Sequence, residues 1–358
     1  MDRTRSALRV ADRRRAGLAD RLARRLPRVG LAGVLADLDR TGAPAQVPGE
    51  AAGDGLTWDA ADRDDPSWWP QGVASTRGGE VLLVSWYATR RWLVRTHGSR
   101  VSVVDRTDPA APRYRHVLLV VPRRRLRLGL GAVPVHAGGI AVLGDLLYVA
   151  DTRAGVRLFR LSDVVRVPDR RLPVPWLTAR TLGRRLGGWS AYGHGYVLPQ
   201  ALRLRVPRWP SRDRLRFSFL SVGEVEGRLS LVVGEYGRAG TAPRLARYPL
   251  DPATGLPELG PDGRCTPLEV HERQPPRMQG VAVDGATWFV SASSGKGSPG
   301  DLHVGAPGAF TRHRRVLPPG PEDLDWSRPG ERLWCVSEWP GARWVFPVDV
   351  ARWLPRAD

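Results

Sequence analysis

One short strand motif recurs along this chain, and its spacing restricts the fold more than any other feature. Five segments share a small or polar pair followed by alternating apolar residues: Gln71-Gly72-Val73-Ala74, Gly138-Gly139-Ile140-Ala141, Ser218-Phe219-Leu220-Ser221, Gln279-Gly280-Val281-Ala282 and Glu322-Asp323-Leu324-Asp325. Between their second residues the intervals are 67, 80, 61 and 43. Each is followed by a turn and a second apolar run, at 81–87, 146–151, 229–236, 287–292 and 332–338. The turns carry hairpin chemistry: Arg77-Gly78-Gly79, Leu143-Gly144-Asp145, Glu226-Gly227, Asp284-Gly285 and Pro329-Gly330. Third runs follow at 100–105, 155–161, 243–248, 301–305 and 343–348, and fourth runs at 114–121, 196–205, 267–272 and 310–317. The last repeat lacks a fourth run of its own, and residues 52–60 are expected to fill that place and close a ring.

A four-stranded sheet cannot bury both faces alone, so such repeats stack face to face around an axis. The expectation is an all-β propeller of five blades, or of six if the long interval before Ser218 conceals a degenerate one. The innermost strands crowd the axis, where Gly72, Gly139 and Gly280 stand at matching places. That long interval holds an insertion within 163–213, rich in Pro, Arg and Trp, expected to cover one face of the disc. The chain divides into a basic helical extension over 1–48 and the propeller over 52–358. Residues 1–28 carry 10 arginines, with Leu18, Leu22 and Leu26 at helical spacing, before a short apolar run from Val29 to Ala36. As a signal peptide the match is marginal, so an amphipathic helix is expected and a cytoplasmic location is favoured over export.

The carrying stretches begin with Pro66-Ser67-Trp68-Trp69-Pro70-Gln71-Gly72, His136-Ala137-Gly138-Gly139 and Tyr196-Val197-Leu198-Pro199-Gln200. They continue with Gly234-Glu235-Tyr236-Gly237-Arg238, Arg277-Met278-Gln279-Gly280 and Pro321-Glu322-Asp323-Leu324. Together these resemble a family of actinobacterial proteins, often exported, with propeller folds and no established activity. The resemblance implies a fold and no reaction. Asp64-Asp65-Pro66 beside a tryptophan also bears a likeness to propeller phytases, which bind calcium through many clustered carboxylates. Only Asp54, Asp59, Asp62, Asp64 and Asp65 gather here, and turn and cap chemistry accounts for them better.

The net charge of +19 raises the question of nucleic acid, because clustered cations displace counterions from phosphates. Of the 55 basic residues, however, Lys296 alone is lysine, and the excess is spread along the chain apart from runs at Arg13 to Arg15, Arg24 and Arg25, and within 123–127. A solvated arginine-biased surface is therefore favoured over a nucleic-acid partner. Cys265 and Cys335 cannot build a disulfide framework, and two buried thiols are expected. No stretch approaches 18 apolar residues, so no membrane span is expected. On oligomeric state the sequence is silent.

Propellers place function on the axis, at the starts of inner strands and in the loops of one face. That rule selects Trp69, Gln71, His136, Phe217, Arg277, Gln279, Glu322 and Asp323, and second-strand ends add Asp151, Glu235, Tyr236 and Glu338. His194, flanked by Gly193 and Gly195 in the insertion, reads as part of a loop near a ligand. His136 with Glu322 is the sharpest acid–base pair, and Arg277 completes a catalytic set. Glu322 and Asp323, with Asp151 or His136, would also suit calcium or zinc, but no HxH, HExxH or CxxC spacing supports a metal. No cofactor is expected; calcium or zinc stays open. Gly295-Lys296-Gly297-Ser298-Pro299-Gly300 matches the letters of a dinucleotide fingerprint, yet a strand follows it and a hairpin loop explains it better.

Two functions fit. A binding module would hold a small molecule or partner in the axial channel and top-face loops. A cofactor-independent enzyme would act as a lactonase- or esterase-like hydrolase, or as an isomerase, lyase or cyclase, through His136 and Glu322.

Overall fold

The computed structural model describes residues 3–11, 14–89, 97–124, 128–168, 181–185, 188–207, 214–238, 240–327 and 331–354. Arg13, Arg125, Arg127, the Pro329-Gly330 turn and parts of the 163–213 insertion lie outside them.

Strand pairing follows the repeat. The first unit runs outward from Trp68–Thr76 through Val81–Ala88 and Ser99–Asp105 to Arg113–Arg124, each strand antiparallel to the next. The second comprises Ile140–Leu143, Leu146–Asp151, Gly155–Arg160 and Tyr196–Arg205. The third comprises Phe219–Val225, Arg228–Gly234, Leu245–Pro249 and Glu269–His271. Met278–Asp284, Thr287–Ala292, Pro299–Gly305 and Thr311–Pro319 make the fourth. The last has Pro321–Ser327, Arg332–Ser337 and Trp344–Val348, and its outer strand is Gly55–Thr57, supplied from the other end of the chain. The chain thereby closes on itself between residues 52 and 60 as expected, and the topology is that of a β-propeller.

Period-two alternation builds the core. Leu82 and Val84 turn toward the last unit, where they meet Trp334 and Val336, while Leu83 turns the other way onto Leu147 and Val149. Tyr148 and Ala150 then face Leu231 and Val233; Val232 faces Val281 and Val290; Phe289 faces Leu324, Leu333 and Cys335. Each unit is sealed by its two neighbours around a closed ring.

The axial glycines earn their place by close approach. A Cβ on Gly139 would stand 2.4 Å from the Leu220 nitrogen, one on Gly280 2.5 Å from the Leu324 nitrogen, and one on Gly72 2.9 Å from the Ile140 nitrogen. Each faces the backbone of the next inner strand, leaving no room for a side chain.

The N-terminal segment packs on the rim. Leu8–Ala11 pairs with Tyr196–Arg205 and with Arg264–Cys265. The helix Arg14–Ala23 lies against the outer strands of the first two units. Leu22, and Leu26 one turn beyond, are buried there at the helical spacing read from sequence. Cys265 and Cys335 are both free and buried. Lys296 lies in the turn joining Thr287–Ala292 to Pro299–Gly305. No helix among the described residues is long and apolar enough to cross a membrane.

Candidate functional site

Hairpin geometry gathers the site. The start of each inner strand lies beside the end of the second strand, as in Trp69 opposite Tyr87 and Pro321 opposite Ser337. Three inner strands break register at that point: between Pro70 and Val73, between Met278 and Gly280, and between Pro321 and Leu324. The residues inside the breaks are Gln71 with Gly72, Gln279, and Glu322 with Asp323. A β-bulge bends its strand and re-aims the extra side chain, so four candidate residues take their direction from bulges.

Gln279, Glu322, Glu338 and Gln71 form one hydrogen-bonded series across three units. Gln279 Nε2 donates to Glu322 Oε1 at 2.8 Å, and Gln71 Nε2 donates to Glu338 Oε2 at 3.0 Å. Between them the two carboxyl groups hydrogen-bond each other. Burial, and then the neighbouring charges of Glu338 and Asp323, push Glu322 well above the usual carboxyl range. Burial likewise lifts the half-buried Glu338 to about 7, against the lowering effect of its bonds with Gln71 and Glu322. Near neutrality the pair therefore retains a proton, with Glu322 donating to Glu338, because two adjacent carboxylates in a desolvated site cannot both ionise.

An aromatic arc borders this series. Trp339 meets Trp69 edge-on with centroids 5.1 Å apart, Trp69 neighbours Tyr87 at 6.5 Å, and His136 stacks on Tyr87 at 4.3 Å and 23°. Burial first, and then Glu338 and Glu322, push the Tyr87 hydroxyl up to about 12. His136 is exposed at the rim, and desolvation by the protein around the ring pushes its pKa down. A cavity of about 400 Å³ opens beside the stack, with Tyr87, His136 and Asp151 in its wall. Beneath the series, Arg343 is fully buried and donates from Nε to the Glu338 carbonyl at 2.9 Å.

Asp323 serves the ring itself. Its Oδ2 accepts from the Val73 amide at 3.2 Å and the Ile140 amide at 2.9 Å, tying the last unit to the first two. Asp325 repeats the device on Ser75, accepting from its amide at 2.8 Å. Asp151 is held by Arg157 at 2.9 Å and Arg203 at 2.7 Å, and Glu235 by Arg244 at 2.8 Å and the Arg216 amide at 2.9 Å. Those two acids fasten the second and third units. Phe217 is core, tilted against Tyr248. Tyr236 is exposed next to Glu235. Arg277, at φ 61, lines a separate cavity of about 510 Å³ over the fourth unit with His303 and Asp301. His194 bonds the Ala191 carbonyl at 3.0 Å and meets Trp68, the first residue of the Trp68–Thr76 strand, edge-on. The structure thus brings Trp69, Gln71, His136, Gln279 and Glu322 to one mouth with Glu338, and leaves Phe217, Arg277, Glu235, Tyr236 and His194 elsewhere. His136 and Glu322 do not bond each other; the partners of Glu322 are Gln279 and Glu338.

Sequence reasoning passed over Tyr87, Trp339 and Arg343. Tyr87 stands three residues past Val84 as Glu338 stands three past Cys335, and Val84 and Cys335 pair with the matching inner residues Val73 and Leu324, so Tyr87 holds in the first unit the place that Glu338 holds in the last.

A second polar centre lies inside the first unit. Asp62, 3% exposed, accepts from Arg100 at 2.7 Å, from the Tyr114 hydroxyl at 2.7 Å and from His116 Nε2 at 2.8 Å. Ser102 Oγ bonds His116 Nδ1 at 2.8 Å and accepts from Trp86 Nε1 at 2.7 Å. Burial and the Arg100 charge push His116 down to about 3, so the ring is neutral and carries its proton on Nε2 toward Asp62. Serine, histidine and aspartate line up, but Ser102 is fully buried and already bonded, so the group is structural. Asp59 caps the helix Ala60–Arg63 by accepting from the Asp62 amide, and Asp65 accepts from the Ser67 amide, both at loop starts. Among the described residues no three His, Cys, Asp or Glu side chains converge as a metal site requires.

No protein-family model matches the chain, and no curated protein matches it. Several solved structures are similar to it. A gluconolactonase from Xanthomonas campestris shares 16% identity over 87% of this chain and 85% of its own, at a TM-score of 0.34. A GH43_1 enzyme from Xanthomonas citri, complexed with xylose, shares 14% over 93% and 92%, at a TM-score of 0.37. A Hadza microbial sialidase shares 10% over 83% and 68%, at 0.41. At such TM-scores these likenesses carry no residue role and no reaction over to this chain.

Proposed function

We propose that the chain binds a small, uncharged molecule rich in hydroxyl or carbonyl groups at the axial mouth, and that the Glu322–Glu338 pair moves a proton on it. The carboxyl pair carries the reading. One member holds a proton at neutral pH and the other exchanges near it, the condition under which general acid and base catalysis is efficient. The aromatic arc of Trp339, Trp69, Tyr87 and His136 offers flat faces for an apolar portion of the ligand. Gln71 Oε1 and Trp339 Nε1 are buried with no protein partner and leave hydrogen-bonding capacity beside the acids.

In a hydrolytic use, Glu338 as carboxylate takes a proton from the attacking water and Glu322 gives its proton to the departing oxygen. The proton on Glu338 then returns to Glu322 through their shared hydrogen bond. An isomerisation would use the same pair to remove and return one proton. The same reading takes the chain as a relative of the actinobacterial propeller proteins its repeat segments resemble, with no tightly held cofactor at this site.

The test has two stages. Native mass spectrometry of protein purified gently from cells, compared with the denatured mass, would reveal a retained small molecule. Lactones, aryl esters and glycosides would then be offered to wild type, Glu322→Gln and Glu338→Gln. Turnover by wild type and its loss in both variants with ligand still bound is the expected pattern. Equal turnover in all three would remove the pair from the chemistry, and a ligand seated away from the mouth would overturn the site.

A further inference from the structure

A second cavity, unrelated to the axial mouth, opens on the rim of the first unit. Its volume is about 770 Å³, and Arg21, Arg24, Arg25, Arg124, Arg184 and Trp189 line it together with two leucines. The arginines come from three separate elements. Arg21 belongs to the helix Arg14–Ala23, with Arg24 and Arg25 in the turn that follows it; Arg124 ends the strand Arg113–Arg124; Arg184 sits in the hairpin of Leu182–Arg185 with Gly188–Ala191. Among the described residues no carboxylate lines the cavity.

The absence of acid there contrasts with the surroundings. Asp20 is four residues before Arg24, a spacing that favours an ion pair on a helix. Instead Asp20 pairs with Arg28 at 3.4 Å, and Asp163 also meets Arg28, at 3.0 Å. Along the chain other arginines are matched in this way, as Arg157 is with Asp151 and Arg312 with Asp301. Among the described residues, none of the five cavity arginines has an ion-pair partner. Five like charges turned toward one hollow repel one another, and a bound anion removes that repulsion. Planar guanidinium groups suit the oxygens of phosphate, which they grip through paired hydrogen bonds. Trp189, half-buried in the wall, supplies a ring on which a flat group can stack.

We infer that this cavity is a binding site for a small polyphosphate ester bearing a flat ring, of the nucleoside triphosphate class, with phosphates on the arginines and the ring against Trp189. The inference does not depend on the chemistry of the axial mouth.

Isothermal titration calorimetry with ATP, at moderate salt, tests it. Wild type is expected to bind one ATP per chain, inorganic tripolyphosphate is expected to compete, and adenosine is not. The double change Arg24→Glu with Arg124→Glu should weaken ATP binding by about 30-fold or more, since each reversal turns an attraction into a repulsion. Arg314→Glu with Arg332→Glu alters the net charge equally at exposed positions elsewhere. That control should weaken binding less than about threefold at this screening. Trp189→Ala should weaken ATP more than it weakens tripolyphosphate. Equal losses in the cavity and control variants would show diffuse attraction to an arginine-rich surface and overturn the site. So would absence of ATP binding, or an oligonucleotide that binds wild type and the cavity variant alike. Equal loss of both ligands in Trp189→Ala would overturn the role of the ring.

Discussion

Replacing Glu338 by glutamine should alter how the stability of this protein depends on pH more than it alters stability itself. In the unfolded chain the carboxyl titrates near its ordinary 4.5, whereas burial lifts it to about 7 in the folded chain. The folded state holds the proton more tightly, so its contribution is fully present below pH 4.5 and is lost as pH rises through about 7. At about 1.4 kcal/mol for each pKa unit, that interval corresponds to about 3 kcal/mol, an upper figure because Glu338 keeps some contact with solvent. Glutamine resembles the protonated acid in shape and can still accept the hydrogen bond from Gln71. The variant should therefore match wild type within about 1 kcal/mol near pH 5 and exceed it by about 2 to 3 kcal/mol near pH 8. Urea unfolding at both pH values reads this directly as a change in midpoint with an unchanged slope. Parallel stability curves for the two proteins across that range would refute the raised pKa and with it the proton held between Glu322 and Glu338.

Three other changes probe the frame that positions the pair. Asp323→Ala strips the Val73 and Ile140 amides of their acceptor, and at about 1–3 kcal/mol for each buried amide it should cost about 2 to 6 kcal/mol in denaturant unfolding, with Asp323→Asn recovering part. Gly280→Ala places a Cβ 2.5 Å from the Leu324 nitrogen and should lower stability by about 2 kcal/mol or more, measured as a fall in unfolding midpoint. Asp62→Ala leaves the buried Arg100 without its carboxylate and should cost about 3 kcal/mol or more while the axial ligand, once identified, still binds the folded fraction. A stability loss under about 1 kcal/mol in any of these would contradict the structural role given to that residue.

Much of the fold was legible because its cause is local. Period-two alternation, hairpin turns and axial glycines are written in consecutive residues, and the strands Leu146–Asp151, Thr287–Ala292 and Tyr196–Arg205 fall where the sequence placed them. The closing strand at Gly55–Thr57 followed from counting, since the last repeat was one strand short. The site was legible only in part. Gln71, Gln279 and Glu322 share one place in the repeat, but the bulges that aim them leave no composition signal. His136 was set against Glu322 because histidine and carboxylate suit proton exchange, yet Glu338 is the residue that hairpin pairing carries to Glu322: Pro321 opposes Ser337. Asp151 and Glu235 stand one register place before that of Glu338, and Arg157, Arg203 and Arg244 hold them there. In a chain so rich in arginine, which of them reaches which acid is decided by packing alone. Asp62 lies in the short helix Ala60–Arg63 before the first unit, and Arg100, Tyr114 and His116 stand 38 to 54 residues away, a separation no local pattern spans.

The central claim is that two carboxyl groups at the axial mouth keep a proton between them at neutral pH. Carbon-detected NMR of protein labelled at the glutamate carboxyl carbon, followed from about pH 4 to about pH 9, tests it most directly. Glu322→Gln and Glu338→Gln assign the two signals. The account predicts one glutamate carboxyl titrating near pH 7 and a second that stays protonated well beyond the ordinary range, each disturbed when the other is replaced. Both signals titrating independently, close to the ordinary glutamate value of 4.5, would contradict it.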